Sequence, residues 1–263
     1  MLGLTSTITK PAEGYPQYRT KNSAEFTDAR NNYISFTNHA DFRYLESDFS
    51  FSGWVKFTAD ATSSNDKDAR VVIDFGNGSN GGVELYYNDS SGDDEKMQVI
   101  IGVDGGSSST LSSATDIDHG QWYHFAFSYD DSATTGKFYI NGVLDTTKTD
   151  HGAIVNNTAS AFLIGGTKFA SSMSGYQCEI ISWKGIALSA EQIAGIYNNG
   201  RPRHGLSCER AYIKGYWKLN SADDTGSDNV LDSSGNGHHG TTATGTGAIA
   251  SADFDTTDVP SSS

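Results

Sequence analysis

The sequence predicts an all-β protein: two antiparallel sheets packed as a sandwich, with one short capping helix near residues 189–199. Three observations predict it. Short runs that alternate apolar and polar residues recur along the 263-residue chain. Between them lie turns rich in Gly, Asn, Asp and Ser, with 29 Gly against 4 Pro. Aromatic residues make up 11% of the chain, enough to fill a core between two sheets and more than a disordered segment carries.

Residues 1–23 read as an arm punctuated by Pro11, Gly14 and Pro16, with no sustained hydrophobic period. From Phe26 the pattern changes. Tyr33 to Phe36 is a short strand, and Phe49 to Phe57 alternates over most of its length. Val71 to Phe75, Val83 to Tyr87 and Met97 to Val103 follow, separated by glycine-rich and acidic turns at 76–82 and 89–94. Trp122 to Tyr129 sets Tyr123, Phe125, Phe127 and Tyr129 on one face. Lys137 to Ile140 comes next. The Asn141-Gly142 pair tolerates positive φ, so the chain reverses there into another short strand. The helix signal is Ser189 with Gln192 three residues on, a capping box. Ile193, Ile196 and Tyr197 then share one face, and Gly200 stands where the helix stops.

Charge excludes one class of partner. With 18 Lys and Arg against 32 Asp and Glu, the net charge is −14, which repels a phosphate backbone and argues against nucleic acid. The first residues show no basic segment followed by an apolar run, so no signal peptide is visible, and no apolar stretch is long enough to insert into a membrane. Cys178 and Cys208 do not make a disulfide framework, though one bridge between them stays open.

Several motifs, in a consistent set, resemble the laminin-G-like branch of the concanavalin A-like lectin and glucanase jelly rolls. They are Trp122-Tyr123-His124-Phe125 with Phe138-Tyr139-Ile140-Asn141-Gly142, then Phe162-Leu163-Ile164-Gly165-Gly166, then Glu179 to Trp183 running into Ala187 to Ile193. Tyr216-Trp217-Lys218-Leu219 and the loop Asp232 to Gly240 resemble the strand and loop that open such a domain, yet here they come late. The implied arrangement is permuted, as in some phage structural proteins. It has an N-terminal arm at 1–23, one sandwich over 24–245 that includes the late strand at 215–219, and a tail at 246–263. The roughly fifty residues from Tyr216 onward are too few for a second sandwich.

The same resemblance frames the chemistry. Glucan-cleaving relatives carry a Glu-x-Asp-x-x-Glu strand, whose alternate carboxylates flank a glycosidic bond. No such run occurs here, so the expectation is a protein without catalytic residues. His238 and His239 are adjacent and would point to opposite faces of a strand, a poor metal pair. His119, His124, His151 and His204 show no ligand spacing. Relatives often hold Ca²⁺ at a rim; the positions that resemble its ligands are Asp28 and Glu179, which makes calcium the one cofactor expected. Tyr86, Tyr87 and Tyr139, with the Gly81-Gly82, Ser107 to Ser109 and Asn156-Asn157 loops, are the places where a sugar could be met. The function expected is a virion structural or surface protein, of a bacteriophage capsid or tail. It would be made in the host cytoplasm and meet other virion proteins, copies of itself and glycans. A carbohydrate-binding module and, further off, a polysaccharide-cleaving enzyme are the alternatives.

Overall fold

In the computed structural model the described residues are 20–27, 33–58, 69–75, 82–88, 95–103, 107–154, 162–166, 173–220, 229–242, 254 and 257–260. Their strands are β1 Ala24–Phe26, β2 Ile34–Phe36, β3 Phe49–Phe57, β4 Ala69–Phe75, β5 Val83–Asn88, β6 Lys96–Val103, β7 Ser107–Ser112 and β8 Tyr123–Asp130. Then come β9 Thr135–Ile140, β10 Val143–Lys148, β11 Phe162–Ile164, β12 Gly175–Lys184, helix α1 Ala190–Tyr197, β13 Ile213–Trp217, β14 Asn229–Val230 and β15 Gly240–Thr242. They form the expected two antiparallel sheets. One runs β1-β12-β3-β8-β9-β10, with β13 also on β12; the other runs β14-β15-β2-β11-β4-β5-β6-β7.

Alternation explains the core. In β3, Phe49, Phe51, Val55 and Phe57 enter the space between the sheets, and Tyr123, Phe125, Phe127 and Tyr129 of β8 join them. From the other sheet come Ile34, Phe75, Leu85, Tyr87, Val99 and Leu111. A second, smaller core lies on the outer face of the seven-stranded sheet. Tyr139, Ile181, Trp183 and Tyr216 are buried there under Ile193 and Ile196 of α1. The helix therefore covers the middle of that face, while β10 at the sheet edge stays largely exposed.

The helix begins as its sequence dictates. Ser189 accepts the Gln192 N–H at 3.3 Å and the Gln192 side chain accepts the Ser189 N–H at 2.8 Å. It ends at Tyr197, and Asn198, Asn199 and Gly200 all take left-handed φ in a 3₁₀ turn. The β9–β10 turn is the expected tight one, with φ of 49° at Asn141 and 76° at Gly142. A Cβ on Gly142 would meet Tyr197 at 2.7 Å, so the hairpin tip is also the seat of the helix end.

Two differences from the sequence reading stand out. Ser107 to Ser109 belong to strand β7, not to a loop. Ser109 and Leu111 turn inward while Ser108, Thr110 and Ser112 face outward, and pairing with β6 overrides the loop-like composition. The stretch read as a tail contributes to the domain: Phe254 lies in the main core, and Asp258 meets Lys56 at 2.5 Å and Trp122 Nε1 at 2.8 Å. The late segment is built in. β13 pairs with the second half of β12, β15 pairs with β2, and Trp217 packs on Phe36 and Phe162 at 4.7 and 4.9 Å between ring centroids.

Candidate functional site

Glu179 sits at a break in β12. Cys178 pairs with Trp54 and Ile181 with Ser52, so Glu179 and Ile180 together oppose Gly53 in a bulge. Glu179 takes φ of 56°, a region that favours glycine, and is 3% exposed. Thr20 Oγ1 donates to its Oε1 at 2.8 Å and the Tyr216 hydroxyl donates to its Oε2. Its N–H reaches the Lys218 carbonyl at 3.2 Å. Here β1 leaves the edge of β12 and β13 takes over, so the carboxylate joins three chain segments. Asp28 lies outside the described residues. The carboxylate thus takes the hydrogens of two hydroxyls, and the Lys218 carbonyl takes the Glu179 N–H.

The outer face of the eight-stranded sheet has a different character. Tyr86, Gln98 and Ser112 stand side by side on β5, β6 and β7, each half-exposed. The Tyr86 hydroxyl donates to Gln98 Oε1, and Gln98 Nε2 donates to Ser112 Oγ at 2.9 Å. Burial, with Glu84 nearby, pushes the Tyr86 phenol up to about 12. In the next row Asp74 of β4 lies directly opposite Glu84 of β5. Sequence reasoning missed that pair, because each acid alone is an ordinary outward residue and only the register brings them together. Tyr87 and Tyr139 belong to the two cores instead. Asn156, Asn157 and Gly81 lie outside the described residues.

The late loop is organised by Asp232. Its carboxylate accepts from the N–H groups of Tyr216, Ser234 and His238 and from the Ser234 hydroxyl, at 2.8 to 3.0 Å. His239 turns one way and accepts the Asp232 N–H at 3.0 Å; His238 turns the other and meets Asp41. Cys178 is buried and Cys208 half-buried, both as free thiols, and burial raises both.

With two sheets, a capping helix and this loop in place, the comparisons are decisive for kinship. A family model described as the concanavalin A-like lectin/glucanases superfamily matches residues 28–194, more than half of the chain. The chain belongs to this superfamily. The match ends inside α1, so β13 to β15 of this concanavalin A-like chain lie beyond it.

Comparison with curated protein sequences finds no match. Among solved structures, a Bacteroides ovatus protein assigned to carbohydrate binding is similar in fold, with a TM-score of 0.65 at 18% identity over 86% of this chain. The concanavalin A-like chain spans 59% of that protein's length. A heptameric pentraxin of Limulus polyphemus aligns at 16% identity over 68% of this chain and 82% of its own, TM-score 0.48. The CBM40 of a Ruminococcus gnavus sialidase aligns at 14% over 58% and 84%, TM-score 0.46.

Proposed function

We propose that this domain binds carbohydrate without cleaving it, and that the sugar lies across the Tyr86–Gln98–Ser112 row. The observation that carries the reading is the asymmetry of the two outer faces. Helix α1 covers the middle of one, while the other keeps a half-exposed aromatic ring beside a hydrogen-bonded polar row. An aromatic face stacks on the apolar side of a sugar ring, and the neighbouring amide and hydroxyls exchange hydrogen bonds with its edge. The Bacteroides ovatus protein of similar fold is assigned to the same chemistry.

Asp74 and Glu84 favour a second reading, a glycoside hydrolase. Directly opposed strand residues hold their Cβ atoms about 4.5–5.5 Å apart, and retaining hydrolases set their carboxyl groups about 5–5.5 Å apart. Against it, Asp74 is 6% exposed, so one acid of the two is withdrawn from the face.

Glycan-array binding by the full chain, followed by calorimetry on the best ligand, tests both. Tyr86→Ala is expected to weaken binding about tenfold or more, as loss of about 1–3 kcal/mol of stacking and hydrogen bonding requires, while circular dichroism shows the chain still folded. Release of reducing ends that Glu84→Gln abolishes would instead establish the hydrolase. The broader setting, a virion surface protein, rests on the permuted order of the strands; stoichiometric recovery of the chain with purified particles tests it.

A further inference from the structure

Outside that face, three potential metal ligands meet where the turn before β3 touches the late loop. His238 Nε2 is 2.8 Å from Asp41 Oδ2, His39 Nδ1 is 3.3 Å from the same oxygen, and the ligating atoms all lie within 4.8 Å of one another. A zinc-class ion holds nitrogen and oxygen ligands at about 2.0–2.2 Å in a tetrahedron, which spaces them about 3.3–3.6 Å apart. Small side-chain rotations close the present set onto such an ion.

We infer that His39, Asp41 and His238 form a binding site for a divalent late first-row transition-metal ion of the zinc class, which staples the late loop to the Ala40–Phe42 turn. Four observations support it. The donor set is two imidazoles and one carboxylate, which suits zinc, nickel or copper and not the oxygen-only preference of calcium or magnesium. The supports are fixed in advance: Asp232 holds the His238 backbone, and Phe42 packs edge-on against the His238 ring at 4.9 Å. His239 is already engaged with the Asp232 N–H, which leaves His238 as the loop's ligand. The side chains of His39, Asp41 and His238 are 50%, 30% and 13% exposed, so an ion can enter from solvent and keep water on its remaining position.

The neighbouring cations sharpen the selectivity. Lys214 and Lys184 act electrostatically on Asp41, and Arg43 lies in turn near Lys184. Lys184 donates to the Ala40 carbonyl at 2.8 Å and Arg43 to Asn38 Oδ1 at 3.0 Å. Such neighbours repel any cation held by charge alone, so binding has to come from the nitrogen lone pairs, which hard ions do not use. On binding, the ion replaces the proton shared by His238 and Asp41. It also takes the His39 Nδ1 lone pair that now accepts the Asp41 N–H at 3.2 Å.

Calorimetry of the full chain with zinc chloride tests this inference separately from sugar binding. One ion per chain is expected, with a higher melting temperature, and cobalt(II) in its place should show visible absorption bands. His39→Asn keeps a capping acceptor for the Asp41 N–H but removes the imidazole. It should weaken zinc binding about tenfold or more while the metal-free melting temperature stays put, and His238→Asn should weaken binding likewise. Calcium chloride should produce no response. Absence of saturable one-to-one binding, or wild-type affinity in His39→Asn, would overturn the assignment.

Discussion

His124 shows how burial alone sets a charge state. It lies between Trp54 and Tyr197, with both ring nitrogens buried and no hydrogen-bond partner among the described residues. Burial pulls its pKa down from 6.5 to about 3, and burial with Lys148 nearby pulls His151 to about 4. The unfolded chain therefore takes up protons that the folded chain refuses. Stability present above about pH 6.5 is lost as pH falls through the window down to about 4 for His151 and about 3 for His124, at about 1.4 kcal/mol per pH unit for each fully refused proton. Urea unfolding between pH 7 and pH 5 should show this slope, and His124→Gln should remove about one proton's share of it; an unchanged slope would sink the account. Glu179 makes the other residue-scale case. Both Glu179→Ala and Glu179→Gly strip Thr20 and Tyr216 of their acceptor, costing about 1–3 kcal/mol. Only alanine keeps the steric penalty of positive φ, so glycine should be the milder substitution by about 1 kcal/mol in denaturant midpoints.

At the scale of elements, the β12 bulge and Gly53 depend on each other. A Cβ on Gly53 would lie 2.3 Å from Ile180 Cδ1, because the bulge swings Ile180 inward over the glycine. Gly53→Ala should therefore cost about 1–3 kcal/mol. Ile180→Val removes the clashing methyl and should recover part of that loss in the double variant, a coupling readable in a double-mutant cycle. Strict additivity would refute the contact. The helix cap is simpler: Ser189→Ala should lower stability by about 1 kcal/mol. These two elements differ in legibility. Ser189 and Gln192 are three residues apart, so the cap can be read from sequence. The bulge needs the pairing of β12 with β3, and nothing in Cys178-Glu179-Ile180 announces it. Ser107 to Ser109 misled for the same reason, since their strand character comes from β6 and not from their own composition.

Over the whole molecule, the late segment locks the sandwich. Trp217 packs at tilted angles among Phe36, Phe42 and Phe162, and its Nε1 donates to the His238 carbonyl at 2.9 Å. Trp217→Ala should cost about 3–5 kcal/mol, visible as a lost near-UV signal and a lower urea midpoint; a loss under 1 kcal/mol would mean the segment is an appendage. The sequence by itself determined the sandwich, the Asn141-Gly142 hairpin and the Ser189 helix start. Alternation, turn chemistry and caps act over a few residues, and the chain writes them out in order. Tertiary structure alone decided which acids and histidines meet. Asp74 finds Glu84 through strand register, Glu179 finds Thr20 and Tyr216 through a bulge, and Asp41 finds a histidine 197 positions away. Such meetings depend on where sheets and loops come to rest in space, and spacing along the chain carries no trace of them.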